Sequence, residues 1–386
     1  MPPSGQATGP LRVLCVTPTG PDGRGGIDRL YSYLRIGEAP CWSGIDLRFV
    51  ASRGPVEGAL WPLAFPRHLA GIAWRLARFR PHIVHLNFAN RGSAWRKVVI
   101  LHLAKLFGAR VAAHLHDAVP EAGIRSGSVE GRLFLAICRG ADRLLVLGRP
   151  TADLVARHGV APERIRVLLN GTPDFADAAP LPKGGAAGGP VEILLAGRLG
   201  PRKGAAILIE ALALLAARGV DGWHCTIAGD GDVETYASLA RERGLEDRIR
   251  FTGWLDSPAV HDLMRRADIV ALPSLVEALP LSLIEGACAG AALLATDISN
   301  TSEIVVDGVN GHLLPRDPAA FADAIAGCLS DRARLGRLQV AARRHFLDAF
   351  TIEAFETDLC RIYTDLAGRA GTRGAASAEL AVGERA

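Results

Sequence analysis

Cysteine gives this chain no scaffold: seven residues (Cys15, Cys41, Cys138, Cys225, Cys288, Cys328 and Cys360) are scattered along 386 positions, odd in number and without C-x-x-C spacing. That excludes a disulfide framework, offers no zinc site, and makes a reducing cytoplasm the expected setting. Long apolar runs are missing too. The longest, residues 267–295, is broken by Asp268, Glu277, Glu285 and two prolines, so nothing reaches the roughly 18 uninterrupted residues that span a bilayer. It reads instead as the strand, loop and helix of a core. Residues 1–10 lack the apolar centre of a secretory signal. Acid is scarce in one region, where residues 53–110 set ten basic side chains against Glu57 alone.

The length is that of about two domains. A composition of 49% hydrophobic and 22% charged residues, with 43 Gly and 23 Pro punctuating many short elements, fits a soluble globular chain rather than a disordered one. The net charge of +4 hides an asymmetry: residues 1–170 carry 23 Lys and Arg against 11 Asp and Glu, and the remainder 21 against 29. The basic half, with Arg75, Arg78, Arg80, Arg96, Lys97 and Lys105 prominent, can draw an anionic membrane surface or a pyrophosphate-bearing acceptor. It can equally be an Arg-rich solvated surface. No nucleic acid partner is expected.

Apolar runs alternate with amphipathic segments, the pattern of repeated β-α units and parallel sheets. The first series predicts strands at 11–17, 47–51, 83–86, 110–115, 144–147 and 165–168, a helix over 27–36, and helical segments around Trp74, Leu101, Leu133 and Leu154. Residues 171–190, rich in Gly, Pro and Ala, read as a hinge. A second series predicts strands at 191–196, 225–228, 249–251, 269–272, 292–295 and 312–314. Residues 341–366 read as a helix pair, and the small, polar tail from Gly368 is expected to be disordered. The expected division is a first domain over 1–172, a linker over 173–190, a second domain over 191–345 and a tail over 368–386. Two αβα units would face each other across a cleft, with ligands beyond the carboxyl ends of the strands.

Glu277 and Glu285 stand eight positions apart in an apolar stretch, where acids need partners. Pro280 between them is tolerated only in a helix's first turn, so it marks a loop-to-helix junction. One carboxylate then precedes the helix and the other lies in its first turns, beside N–H groups that favour anions. Such a site suits a polyhydroxylated phosphate compound, with hydroxyls on the acids and phosphates at the helix end. Ser282 and Glu285 also satisfy a capping box, although Pro280 at the first helical position would put Ser282 inside the helix. Glu277 has no comparable alternative.

Four further segments carry candidate chemistry. Arg198 and Lys203, in the loop Gly197-Arg198-Leu199-Gly200-Pro201-Arg202-Lys203-Gly204, can bind phosphate as a bidentate fork and a point charge, or stay solvated. The glycine-rich segment from Gly20 to Ile27 is a phosphate loop or a plain turn. It is no dinucleotide fingerprint, since G-x-G-x-x-G is not formed and the second strand ends in Ala51-Ser52-Arg53 rather than in an acid for a ribose. In His114-Leu115-His116-Asp117 the two histidines share a strand face, but no third ligand of fitting spacing is visible, and a hydrogen-bonding or acid/base role for His116 at the cleft is expected. Asp230-Gly231-Asp232 could converge on Mg²⁺ or Mn²⁺, and reads more simply as a turn with N-terminal caps.

Taken in order, Gly25-Gly26, His116-Asp117, Asn170-Gly171, Gly197-Arg198-Leu199 with Lys203-Gly204, Ala228-Gly229-Asp230-Gly231, Phe251-Thr252-Gly253-Trp254 and the Glu277 to Glu285 pair resemble the retaining glycosyltransferases of family 4 over most of the chain. The resemblance implies an α/β GT-B fold, two Rossmann-like αβα domains facing across a cleft, with a C-terminal helix of about 346–367 crossing back to the first. It implies a nucleotide-diphosphate-sugar donor held mainly by the second domain. Arg198 and Lys203 would neutralise the diphosphate, helped by backbone around Leu279, Pro280 and Leu281 and at Gly25 and Gly26. Glu277 would bind the transferred sugar, Glu285 the ribose, His116 a sugar hydroxyl at the reaction centre, and Trp254 and Leu255 would lie by the base. Neither metal nor cofactor is expected. Retention would follow a front-face route in which the donor phosphate helps to deprotonate the acceptor.

The implied activity is hexosyl transfer to a lipid-linked or saccharide acceptor, in exopolysaccharide, lipopolysaccharide or glycolipid assembly at the inner face of the cytoplasmic membrane, with GDP-mannose as the donor guess. A nucleotide-sugar epimerase on the same fold and a non-catalytic sugar-nucleotide-binding subunit are the alternatives. Ala278 departs from the glycine that the family often has after its first acid, and alanine forbids some backbone conformations there.

Overall fold

A computed structural model describes residues 9–20, 26–52, 61–89, 94–176 and 188–368, side chains of 61–64 apart. Gly25, most of the expected linker and the expected tail beyond Gly368 lie outside the described residues.

The first half runs β1 (Leu11–Thr17), α1 (Gly26–Ser32), β2 (Ile45–Ala51), α2 (Trp61–Phe79), β3 (Ile83–Phe88), α3 (Ala94–Leu106), β4 (Arg110–Leu115), α4 (Glu121–Arg125), α5 (Val129–Gly140), β5 (Arg143–Val146), α6 (Arg149–Arg157) and β6 (Ile165–Val167). The second half runs β7 (Val191–Ala196), α7 (Ala205–Ala217), β8 (Trp223–Ala228), α8 (Val233–Glu242), β9 (Ile249–Gly253), α9 (Ser257–Arg266), β10 (Ile269–Leu272), α10 (Leu281–Cys288), β11 (Ala292–Thr296), β12 (Gly311–Leu314), α11 (Pro318–Ser330), α12 (Arg332–Ala349) and α13 (Ile352–Ala367). All expected strands form.

The strands make two parallel six-stranded sheets, ordered β2-β1-β3-β4-β5-β6 and β12-β11-β10-β7-β8-β9. Both faces of each sheet are covered, which is why the strands read as apolar runs rather than as alternations. In β1, Leu14 and Val16 enter one cluster with Leu86, Val111 and Phe134, whereas Leu11, Val13 and Cys15 enter another with Phe355, Leu359 and Tyr363 of α13. The final helix therefore packs on the first sheet.

The return crossing lies later than expected. Phe346 and Phe350 are buried with Ile284, Leu293 and Ile304 in the second unit, so the chain crosses at Thr351 rather than at Phe346. Thr351 caps α13 by accepting a hydrogen bond from Ala354 N at 3.2 Å. Beside it runs the outgoing crossing. Thr172 N donates to Phe350 O and Ile352 N donates to Thr172 O, both at 3.0 Å. A side chain on Gly171 would come within 2.6 Å of Thr351 O, and this close approach is what the glycine permits.

Two further expectations need correction. The first helix ends at Ser32 instead of at 36, because Tyr33 N and Leu34 N turn to the carbonyls three residues back. Arg96 and Lys97 are no part of the basic surface, since both are buried and Lys97, 3% exposed, donates to Ser52 Oγ at 2.9 Å. Burial, with Arg96 adding repulsion, pushes the Lys97 ammonium down to about 7. No helix among the described residues is long and apolar enough to cross a membrane.

Candidate functional site

Loops at the carboxyl ends of β1, β4, β7, β8, β9 and β10 converge on one cleft of about 980 Å³, the place where an open α/β sheet binds its ligands. Every candidate among the described residues lines it: Gly26 and His116 from the first half, and Arg198, Lys203, Trp254, Leu255, Glu277, Leu279, Pro280, Leu281 and Glu285 from the second. A separate cavity of about 640 Å³ on β7, β8, β9 and α9 holds none of the candidate residues.

The loop after β7 is braced by the loop after β8. Leu199 N donates to Asp230 O at 2.6 Å and Leu199 bridges Gly231. Gly229 makes this possible: its φ is +153°, and a Cβ there would meet Gly197 O at 2.0 Å. Arg198 is left exposed on the cleft wall, its guanidinium making no hydrogen bond among the described residues, as suits a fork waiting for an anion. Lys203 Nζ donates to Glu277 Oε1 at 2.7 Å, and Ser274 Oγ donates to the same oxygen at 2.8 Å. The partner that Glu277 required is thus the other phosphate candidate. Asp230 lines the cleft, while Asp232 takes the N-cap position of α8 without making a side-chain cap. Among the described residues no three His, Cys, Asp or Glu side chains group as metal ligands.

Pro280 is the N-cap of α10, one position before the helical start expected for it, and no side chain caps the helix. The N–H groups of Leu281 and Ser282 therefore make no hydrogen bond among the described residues and stand beside the cleft as a ready anion site, while those of Leu283 and Ile284 turn back to Pro280 O. The capping box is not formed. Ser282 lies inside the helix with its buried Oγ unbonded, and Glu285, in the second turn, accepts a hydrogen bond from Arg29 Nη2 at 2.7 Å. Ala278 poses no obstacle, since Arg80 and Ser299 are the non-glycine residues with positive φ among those described. Its carbonyl accepts a hydrogen bond from Asn300 Nδ2 at 2.9 Å, and Asn170 Nδ2 donates to Leu279 O at 3.3 Å. Both asparagines fix the loop between the two acids.

His116 is oriented by a residue that sequence reading missed. Asn87 Nδ2 donates to Val16 O at 3.3 Å, which leaves its Oδ1 to accept from Tyr31 Oη at 2.9 Å and from His116 Nε2 at 2.7 Å. Nε2 therefore carries the hydrogen, and Nδ1 holds the free lone pair. Burial, with His85 and Lys97 adding repulsion, pushes His116 down to about 3. The ring is neutral and a weak base, so of its two expected roles hydrogen bonding to a hydroxyl is favoured over proton abstraction. His114, tilted against it at 45° with ring centroids 3.9 Å apart, is buried and likewise held well below the usual range by desolvation.

Comparison with known proteins agrees with this geometry. The family described as Glycosyl transferases group 1 matches residues 181–345, and that described as Glycosyl transferase 4-like domain matches residues 10–171. A glycogen synthase of Mycobacterium tuberculosis is 30% identical over 335 residues, covering 81% of this chain and 77% of that protein. A phosphatidyl-myo-inositol mannosyltransferase of Mycolicibacterium smegmatis is 33% identical over 191 residues, 48% of each chain. Among solved structures, Anabaena HepE in complex with UDP and glucose superposes with a TM-score of 0.70 at 18% identity, covering 92% of this chain and all of that one. The likeness is one of fold, the two-domain α/β GT-B architecture expected from the sequence.

Proposed function

Because the chain belongs to the group 1 glycosyltransferases of family 4, we propose that it transfers a hexose from a nucleotide-diphosphate sugar to a lipid-linked or saccharide acceptor, with retention and without a metal. One observation carries this: a single cleft joins Arg198, Lys203 and the uncapped start of α10 to the buried carboxylates Glu277 and Glu285. Cations and helix N–H groups suit a diphosphate, and carboxylates suit sugar and ribose hydroxyls. The second domain, taken as 191–345, supplies most of these groups.

In the proposed reaction the bond from the sugar C1 to the diphosphate oxygen breaks while the acceptor oxygen bonds C1 on the same face. The acceptor proton passes to the departing phosphate, which leaves as part of the nucleoside diphosphate. Arg198 and Lys203 act where negative charge grows, on the leaving group, and fixed cations lower the barrier most at that point. Glu277 holds the sugar, and His116 offers Nδ1 to one of its hydroxyls. Trp254 and Leu255, which also line the cleft, would flank the base.

The sequence points to GDP-mannose as donor, while the UDP held by the HepE structure supports a uridine donor. A thermal-shift series across UDP, GDP and ADP hexoses separates them, because a ligand at 100 times its Kd adds about 2.7 kcal/mol to the folded state. One base is expected to raise Tm by several degrees; no shift with any of them would remove the donor site. We place the acceptor at the inner membrane face, reached through Arg75, Arg78, Arg80 and Lys105, which are exposed beside Trp74 (64%) and Leu106 (81%). Flotation with anionic liposomes should carry the wild type and leave behind a variant with Arg75→Glu, Arg78→Glu and Lys105→Glu. Equal partitioning of both proteins would remove the membrane contact.

A further inference from the structure

Glu285 has a partner from the other half of the molecule. Arg29, in the last turn of α1, donates through Nη2 to Glu285 Oε1 at 2.7 Å across 256 positions of sequence. The Glu285 side chain is only 3% exposed, and a carboxylate so buried needs hydrogen-bonding partners. Arg29 is itself held from behind, its Nε donating to Tyr33 Oη at 2.6 Å. His261 Nε2 approaches the same oxygen to 3.9 Å, with its ring stacked on Phe175 at 3.9 Å and 3°. Among the described residues the second oxygen of Glu285 accepts no hydrogen bond, and both Arg29 and Glu285 line the cleft.

We propose that Arg29 is a positioning residue for the donor ribose. It takes one oxygen of Glu285, fixes the carboxylate against His261, and leaves the other oxygen turned to a ribose hydroxyl. The same bond ties α1, and with it Gly26 at its start, to α10, so the two walls of the cleft and the ribose acceptor are set together. A carboxylate has lone pairs enough for both partners, so Arg29 and the ribose bind side by side rather than in competition. This rests on the donor site proposed above, with Glu285 at the ribose. Arg29 lies outside the motifs from which that site was read, and it comes from the domain opposite to the one that holds the nucleotide.

The test is calorimetric titration of wild type, Arg29→Met, Arg29→Lys and Glu285→Gln with UDP and GDP and with their 2′-deoxy and 3′-deoxy forms. Wild type should prefer the ribonucleotide of its own base over at least one deoxy form. Arg29→Met should weaken ribonucleotide binding about tenfold, the loss of one charge-assisted hydrogen bond, and draw the ribo-to-deoxy ratio towards one, with Arg29→Lys restoring part of both. A merely structural Arg29 would weaken ribo and deoxy forms alike and leave the ratio intact, which overturns the assignment. Unchanged or tighter binding by Arg29→Met also overturns it, by making Arg29 a bystander or a competitor of the ribose. Glu285→Gln separates the two levels: if it keeps the wild-type ratio, or if the wild type binds none of the nucleotides, the donor site itself is wrong. If it loses the ratio and Arg29→Met does not, the Arg29 role alone fails.

Discussion

Replacing Glu277 by Gln should lower kcat/KM for sugar transfer by about 10³-fold, roughly 4 kcal/mol of transition-state stabilisation, while the protein stays folded. The size follows from what the carboxylate touches. Its Oε1 already takes Lys203 and Ser274 at 2.7 and 2.8 Å, so in the proposed site it would set the position of a phosphate-binding cation as well as hold sugar hydroxyls. Glutamine keeps the volume and an acceptor oxygen but neither the charge nor both acceptor oxygens. Lys203 retains 24% side-chain exposure, so water can hydrate its charge when the carboxylate is gone. The loss should therefore fall on turnover rather than on Tm. Near wild-type turnover with Tm unchanged would sink the assignment of Glu277 to the sugar.

Arg198→Ala should lower kcat by about 10²-fold, the scale for one preorganised donor at a developing charge. Arg198 is the cleaner probe of the diphosphate, because Lys203 is coupled to Glu277 and its removal disturbs two functions at once. The exposed guanidinium has no carboxylate to orphan, so stability should hardly change. Wild type should bind a nucleoside diphosphate more tightly than the monophosphate, and Arg198→Ala should lose most of that preference. An undiminished preference would return Arg198 to the solvated surface.

The sheets were legible because parallel strands buried on both faces must be apolar throughout, and punctuation by Gly and Pro separated them. The charged wall of the cleft was legible for a related reason: Arg198, Lys203, Glu277 and Glu285 break apolar or glycine-rich sequence after strand ends, where charge is otherwise costly. What stayed hidden depends on distant packing. Arg29 meets Glu285 only because one domain closes on the other, and no local pattern at residue 29 announces it. Asn87 lies one position beyond the strand expected at 83–86 and in none of the motifs, yet it fixes the tautomer of His116 through a bond across 29 positions. Phe346, in α12, and Phe350, at its C-cap, are buried in the second unit rather than the first, which is decided by where the chain crosses. Arg96 and Lys97 were counted as surface charge, because composition says nothing of which side of α3 turns inward. Ser282 and Glu285 fit a capping box by spacing alone, and the position of Pro280 broke it.

The stereochemistry and requirements of turnover test the proposed reaction most directly. Proton NMR can follow the wild type with its best-binding nucleotide hexose, a panel of lipid-linked and saccharide acceptors, and excess EDTA. The donor should be consumed only when an acceptor is present, EDTA should make no difference, and the new glycosidic linkage should have the anomeric configuration of the donor. Conversion of the donor without an acceptor would show an epimerase instead, and an inverted product or complete loss of turnover in EDTA would contradict the proposed route.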